Sequence, residues 1–258
     1  MVAEPVYAAT TVPLATGLIT FDNLTIGYDR HPAVHHLSGS FRPGSLTAIA
    51  GPNGAGKTTL LKTVTGLLRP LDGEVRLNAI SRRDIAYLPQ QAEIDRGFPI
   101  SVGDAVAMGH WRQIGAFGGV TGALMRQARL ALNAVGLQGF DSRPVGSLSV
   151  GQFQRMLFAR LLLQEAKLII LDEPFAAIDA KTTNDLLGLI LRWHGEGRTV
   201  IAVLHDLEQI RTCFPETLLL AREPVGWGPT AEILTPDNLC KARAMIEAWS
   251  EEAERCRR

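Results

Sequence analysis

Cysteine is scarce in this chain of 258 residues: there are three, Cys213, Cys240 and Cys256. They are odd in number, far apart and form no C-x-x-C pair. That argues against a disulfide framework or a cysteine metal cluster and fits a reducing compartment. An excess of charge is missing as well, since 26 Lys and Arg stand against 26 Asp and Glu. The chain therefore has no bulk attraction for nucleic acid or anionic lipid, and nucleic acid is not expected as a partner. A long hydrophobic run is also absent. The most apolar stretch, 157–171, is broken by Arg160, Gln164, Glu165 and Lys167. It falls short of the roughly 20 apolar residues that a membrane span needs. Residues 1–17 show no basic segment followed by an apolar run, so they read as a loose extension and not as a secretory signal. Together these absences predict a cytoplasmic protein.

Apolar residues make up 46% of the chain, enough for a sizeable core. Short apolar runs read as strands at 18–28, 45–50, 74–77, 85–88, 167–171, 199–204 and 217–221. Asp29-Arg30 and Asp72-Gly73 read as turns. Residues 57–68 carry Leu60, Leu61, Val64, Leu67 and Leu68 at helical spacing. From 91 to 163 the pattern is helical with glycine-rich joints, and 237–258 reads as a charged helix. Buried strands alternating with helices predict an α/β fold with a mostly parallel sheet.

Gly51-Pro52-Asn53-Gly54-Ala55-Gly56-Lys57-Thr58, with Thr59 next, matches the phosphate-loop pattern in full, between a predicted strand and a predicted helix. The glycines let backbone N–H groups turn toward phosphate oxygens, and the helix start adds its positive dipole end. Lys57 supplies a point charge for the β- and γ-phosphates, and Thr58 a hydroxyl for Mg²⁺. The apolar strand at 167–171 runs into Asp172 and Glu173. Acids at the C-terminal edge of a parallel strand lie where ligands bind. Asp172 is placed to hold Mg²⁺, and Glu173 to orient and polarise the attacking water. These two motifs specify a phosphate-loop ATPase or GTPase and no more.

Leu148-Ser149-Val150-Gly151-Gln152 contains a capping box, Ser149 with Gln152, so a helix starts there with an anion-attracting end. This segment resembles the signature sequence of the ABC ATPases, and the resemblance extends in order over nearly the whole chain. It implies that Tyr28 stacks on adenine and that Gln90, with Gln91 as the neighbouring alternative, reaches Mg²⁺ or the water. It implies further that Asp179 crosses a dimer interface and that His205 contacts the γ-phosphate. The implied fold is a phosphate-loop ATPase core (18–90 and 164–236), including an N-terminal antiparallel β part. A helical insert at 91–163 carries the signature, and a C-terminal helix follows at 237–258. The implied assembly is a head-to-tail dimer in which two ATP molecules lie between the phosphate loop of one copy and Ser149, Val150, Gly151 and Gln152 of the other. The implied partners are integral membrane permease subunits and, indirectly, an extracytoplasmic solute-binding protein, with the chain peripheral on the inner face of the cell membrane.

The family usually has glycine where Val150 stands. Valine disfavours positive φ, so the backbone there is expected at negative φ with the site still working. For the cargo, Phe98-Pro99-Ile100-Ser101-Val102, Asp104 and Met108-Gly109-His110 resemble the insert of zinc and manganese importers, zinc placed first. Iron-chelate and cobalamin importers are the near neighbours. His35-His36 lacks a third local ligand and reads as a solvated pair, and His31, His110 and His194 read as surface residues. An ABC-type ATPase acting on nucleic acid or ribosomes is the alternative of another class, but the single phosphate loop and neutral charge speak against it. A non-hydrolysing scaffold is expected to lack Glu173 or His205, and both are present.

Overall fold

The computed structural model describes residues 17–28, 31–90, 96–115 and 118–255, with backbone alone for 249–255. Residues 1–16, Asp29-Arg30, Gln91 and Cys256 lie outside them.

β1 (Ile19–Tyr28) runs antiparallel to β2 (His31–Phe41), with Ile19 opposite Phe41 and Tyr28 opposite His31. β3 (Leu46–Ala50) leads through the phosphate loop into α1 (Lys57–Thr65). β4 (Asp72–Leu77) returns to pair antiparallel with β1, completing a three-stranded sheet in the order β2-β1-β4. After β5 (Ile85–Leu88) come α2 (Val102–Ala107), α3 (Trp111–Ile114), α4 (Gly122–Ala134) and α5 (Val150–Leu162), with no named strand among the described residues between β5 and β6 (Leu168–Asp172). α6 (Ala180–Gly195), β7 (Thr199–Val203), α7 (Leu207–Cys213), β8 (Glu216–Ala221), β9 (Glu223–Pro229), α8 (Thr230–Ile233) and α9 (Pro236–Arg255) complete the chain.

The second sheet has the order β5-β6-β7-β3-β8-β9, parallel except for β9, which pairs antiparallel with β8. β3, β6 and β7 are buried at every position. This is why they read as unbroken apolar runs and not as alternations. Successive side chains nevertheless point to opposite faces. Ile49, Ile170, Ile201 and Leu218 join the core that α1 and the antiparallel sheet cover. Ala48, Ile169, Ala202 and Leu219 join the core under α2, α4, α5, α6 and α9.

Several expectations change. α1 ends at Thr65, not 68, because Gly66 takes the left-handed conformation (φ 81°) and turns its N–H back to Thr63. Asp72-Gly73 opens β4 and is not a turn outside it; Gly73 is left-handed there (φ 74°). β2 and β9 were not legible as strands, because His, Ser, Gly and Pro interrupt their alternation. They are held by tertiary packing: the Trp227 ring of β9 lies 4.6 Å from that of Phe41 and fills the space over Gly39, where a Cβ would meet it at 2.7 Å. His110 is not a surface residue. It is 3% exposed, and neither ring nitrogen has a hydrogen-bond partner. Burial pushes its imidazole below the ordinary histidine range. His31 is exposed and His194 half-buried.

Candidate functional site

The phosphate loop leaves the C-terminal end of β3 and curls into α1. Its shape is imposed from below. A Cβ on Gly51 would sit 1.9 Å from the carbonyl oxygen of Leu220, and one on Gly56 (φ 92°) 2.3 Å from Val34. Ala55 is fully buried beneath the loop, while Asn53 and Gly54 stand exposed at its tip. Lys57 is 6% exposed, and its Nζ donates to the carbonyls of Gly51 (2.8 Å) and Pro52 (2.9 Å). Burial lowers its pKa, and the carboxylates of Glu173 and Asp172 pull the other way. Lys57 thus closes the loop around an ammonium that faces two acids. Thr59 is half-buried one step along α1, its carbonyl accepting from Thr63.

Asp172 ends β6 and is 1% exposed. Its Oδ1 accepts from Thr58 Oγ1 at 3.2 Å. Glu173, the next residue, adopts positive φ (51°). A non-glycine residue held there carries backbone strain, which turns its side chain off the line of the strand. Glu173 Oε2 accepts from Gln90 Nε2 at 3.0 Å, and Glu173 Oε1 lies 2.7 Å from Nε2 of His205. Gln90 follows β5 and His205 follows β7. Four parallel strands, β3, β5, β6 and β7, therefore deliver Lys57 with Thr58, Gln90, Asp172 with Glu173, and His205 to one edge of the sheet. A cavity of about 170 Å³ beside it is lined by Gly51, Pro52, His205, Leu207, Leu239 and Arg243, which brings α9 to the margin of the site.

The donor set fits Mg²⁺. The Thr58 hydroxyl, the Asp172 carboxylate and the Gln90 amide present hard oxygens within one cluster. No group of three His, Cys, Asp or Glu residues that could hold a metal ion occurs among the described residues.

Tyr28 stands at the end of β1 and is 50% exposed, a free aromatic surface and not a core residue. The remaining predicted residues form a second cluster. Ser149 caps α5: its Oγ accepts from the Gln152 N–H (3.2 Å), and Gln152 Oε1 accepts from the Ser149 N–H (3.0 Å). Val150 is the first helical residue and lies outside the positive-φ set, as its β-branch requires. Asp179 caps α6, accepting from the N–H (2.9 Å) and hydroxyl (2.8 Å) of Thr182. These bonds hold its carboxyl below the usual range. Two arginines that the sequence did not single out anchor the signature helix to its surroundings. Arg96 donates to the Leu148 carbonyl and lies over the Phe153 ring. Arg155 ties α5 to α6. Arg155 is four residues beyond Gly151, on the same helix face, which is the one signal that could have marked it.

A family model described as ABC transporter matches residues 34–176. The chain belongs to the ABC transporter family. It is an ABC-type ATPase subunit, and its substrate is ATP. The manganese transport system ATP-binding protein MntB of Halalkalibacterium halodurans is 37% identical over 230 residues, 87% of this chain and 91% of that protein. A probable metal transport system ATP-binding protein of Chlamydia pneumoniae is 39% identical over 222 residues, 84% of this chain and 85% of its own length. Among solved structures, a metal-chelate type ABC transporter in an inward-facing conformation is 32% identical. The match covers 86% of this chain and 87% of that one, with a TM-score of 0.76.

Proposed function

We propose that this ATPase works as a head-to-tail dimer that drives import of a divalent transition-metal ion through a separate membrane permease, on whose inner face it sits. The convergence of Lys57, Thr58, Gln90, Asp172, Glu173 and His205 on one sheet edge carries the catalytic half of this reading. Ser149 and Gly151 supply the other half from the second copy. Within one protomer the atoms nearest to a Cβ added at 151 belong to Thr182 and Asp179, at 3.6 and 3.7 Å, which is ordinary contact. The absent side chain leaves room for a partner's nucleotide to approach the helix amides.

ATP lies with its phosphates over the loop, the Lys57 ammonium against the β- and γ-phosphates and Tyr28 against the base. Thr58, Asp172 and Gln90 would hold Mg²⁺, which would supply positive charge to the phosphate oxygens. Glu173 accepts a proton from a water held in line with the γ-phosphorus. The water oxygen bonds to phosphorus as the β–γ bridging bond breaks, giving ADP and phosphate. His205 withdraws from Glu173 and donates toward the γ-phosphate. That switch makes the closed dimer depend on the γ-phosphate, as a population shift requires.

For the cargo, the names of the relatives support manganese ahead of zinc, which reverses the order that the insert residues alone suggested. Import of an iron chelate or cobalamin is the second reading, supported by the likeness to a metal-chelate type transporter. The described residues hold no helix long and apolar enough to cross a membrane, which is consistent with a separate permease. Growth of a deletion strain under chelation tests the cargo: manganese is expected to restore it. Rescue by iron alone would overturn the assignment.

A further inference from the structure

Arg155 lies between two helix starts. Its Nη1 donates to the Val135 carbonyl at the end of α4 (3.0 Å). Its Nη2 donates to Asp185 Oδ2 (2.7 Å) and Thr182 Oγ1 (3.2 Å) on α6. The Thr182 hydroxyl in turn donates to Asp179 Oδ2 at 2.8 Å. One guanidinium, largely buried at 17% exposure, thus joins three helices through a directional chain that ends on the capping aspartate of α6. Gly151, one turn earlier on the same helix, faces the same Thr182–Asp179 pair. Asp179 in turn lies six residues after Glu173 on a segment that contains the left-handed Ala177 (φ 58°).

We infer that Arg155 is a positioning residue that couples the two ATP sites of the dimer. It locks the helix start offered to the partner's nucleotide to the segment carrying the chain's own Glu173 and Asp179. The inference rests on the sandwich dimer proposed above. Closure over the partner's ATP pulls on Ser149 and Gly151, and the Arg155–Thr182–Asp179 chain carries that pull to the other site. A planar fork serves three acceptors at once; a lysine ammonium reaches Asp185 but cannot hold Val135 and Thr182 in the same geometry.

The test uses the full chain with Arg155→Ala, Arg155→Lys and Asp185→Asn, each alone and combined with Glu173→Gln. Asp185 is half exposed, so its amide variant keeps the fold. Binding of a fluorescent ATP analogue to the monomer should change by less than about twofold, whereas ATP-driven dimerisation and kcat fall about tenfold or more. The Hill coefficient for ATP should drop toward unity, with Arg155→Lys intermediate. Full dimerisation and an unchanged Hill coefficient in Arg155→Ala overturn the inference. So does a loss in Arg155→Ala that is shared by monomer binding and melting temperature while Asp185→Asn behaves as wild type, because the arginine is then merely structural. If Glu173→Gln by itself forms no ATP dimer, the sandwich reading falls and this inference with it. Normal Glu173→Gln dimers with unaffected Arg155 variants remove this inference alone.

Discussion

Nε2 of His205 stands 2.7 Å from Oε1 of Glu173, while Gln90 occupies the other carboxylate oxygen. Both oxygens of the proposed general base are therefore engaged. Each oxygen keeps a further lone pair with which Glu173 can accept from a water. Glu173→Gln keeps the size and one accepting oxygen but cannot take a proton. It should trap ATP-bound dimers and lower turnover about a hundredfold or more. Single-turnover hydrolysis with size-exclusion light scattering checks this. Rapid turnover by the variant would falsify the role given to Glu173.

Lys57 clasps its own loop through the carbonyls of Gly51 and Pro52. Lys57→Met should abolish measurable nucleotide binding. It should also change the pH dependence of stability. Burial lowers the lysine pKa in the folded chain, so at pH values between that lowered value and the ordinary one the unfolded chain binds more protons. Wild-type stability therefore rises with pH through that alkaline window, and the methionine variant should lack the rise. Thermal melts across the window, with and without the substitution, read it directly.

At the signature helix the single-protomer geometry separates folding from assembly. A methyl at position 151 has only ordinary contacts in its own chain. Gly151→Ala should leave melting and monomer nucleotide binding intact and cut kcat about tenfold or more, through the partner's ATP. Ser149→Ala removes a helix cap and should cost about 1 kcal/mol as well. Val150→Gly should shift the ATPase rate by less than about twofold, because the helical φ of this position suits valine. A large rate increase in that variant would show that valine impairs the native signature.

Asp179 supplies the α6 cap as a carboxylate whose pKa is held down by the Thr182 amide and hydroxyl. A depressed carboxylate stabilises the fold above its unfolded pKa, and that stability is lost as pH falls through the folded value. Asp179→Asn still accepts one capping bond but has no proton to gain. The melting-temperature gap between wild type and variant should be present near neutrality, shrink on acidification below the ordinary carboxylate range, and narrow with salt because the group is exposed. A gap that stays constant from neutral to acid pH would mean that the Thr182 bonds do not hold the carboxylate.

What the sequence determined by itself was whatever depends on neighbours along the chain. Residues 51–58 spell a phosphate loop because curling a backbone around an anion needs glycine at fixed spacing. Ser149 and Gln152 spell a helix start because the capping box closes over three residues. The buried parallel strands are legible because each is apolar on both faces. The tertiary structure decided what depends on residues distant in sequence. Gln90, Glu173 and His205 meet only because β5, β6 and β7 lie side by side in parallel. β2 and β9 are strands through their pairing with β1 and β8, and Trp227 packs over Gly39 between them, although their own residues propose no regular element. His110 is buried by the helices around it, and Arg155 acquires its three acceptors only when α4, α5 and α6 pack. A local rule cannot register a partner that lies 20 or 30 residues away, whereas a packed core brings the two within hydrogen-bonding distance.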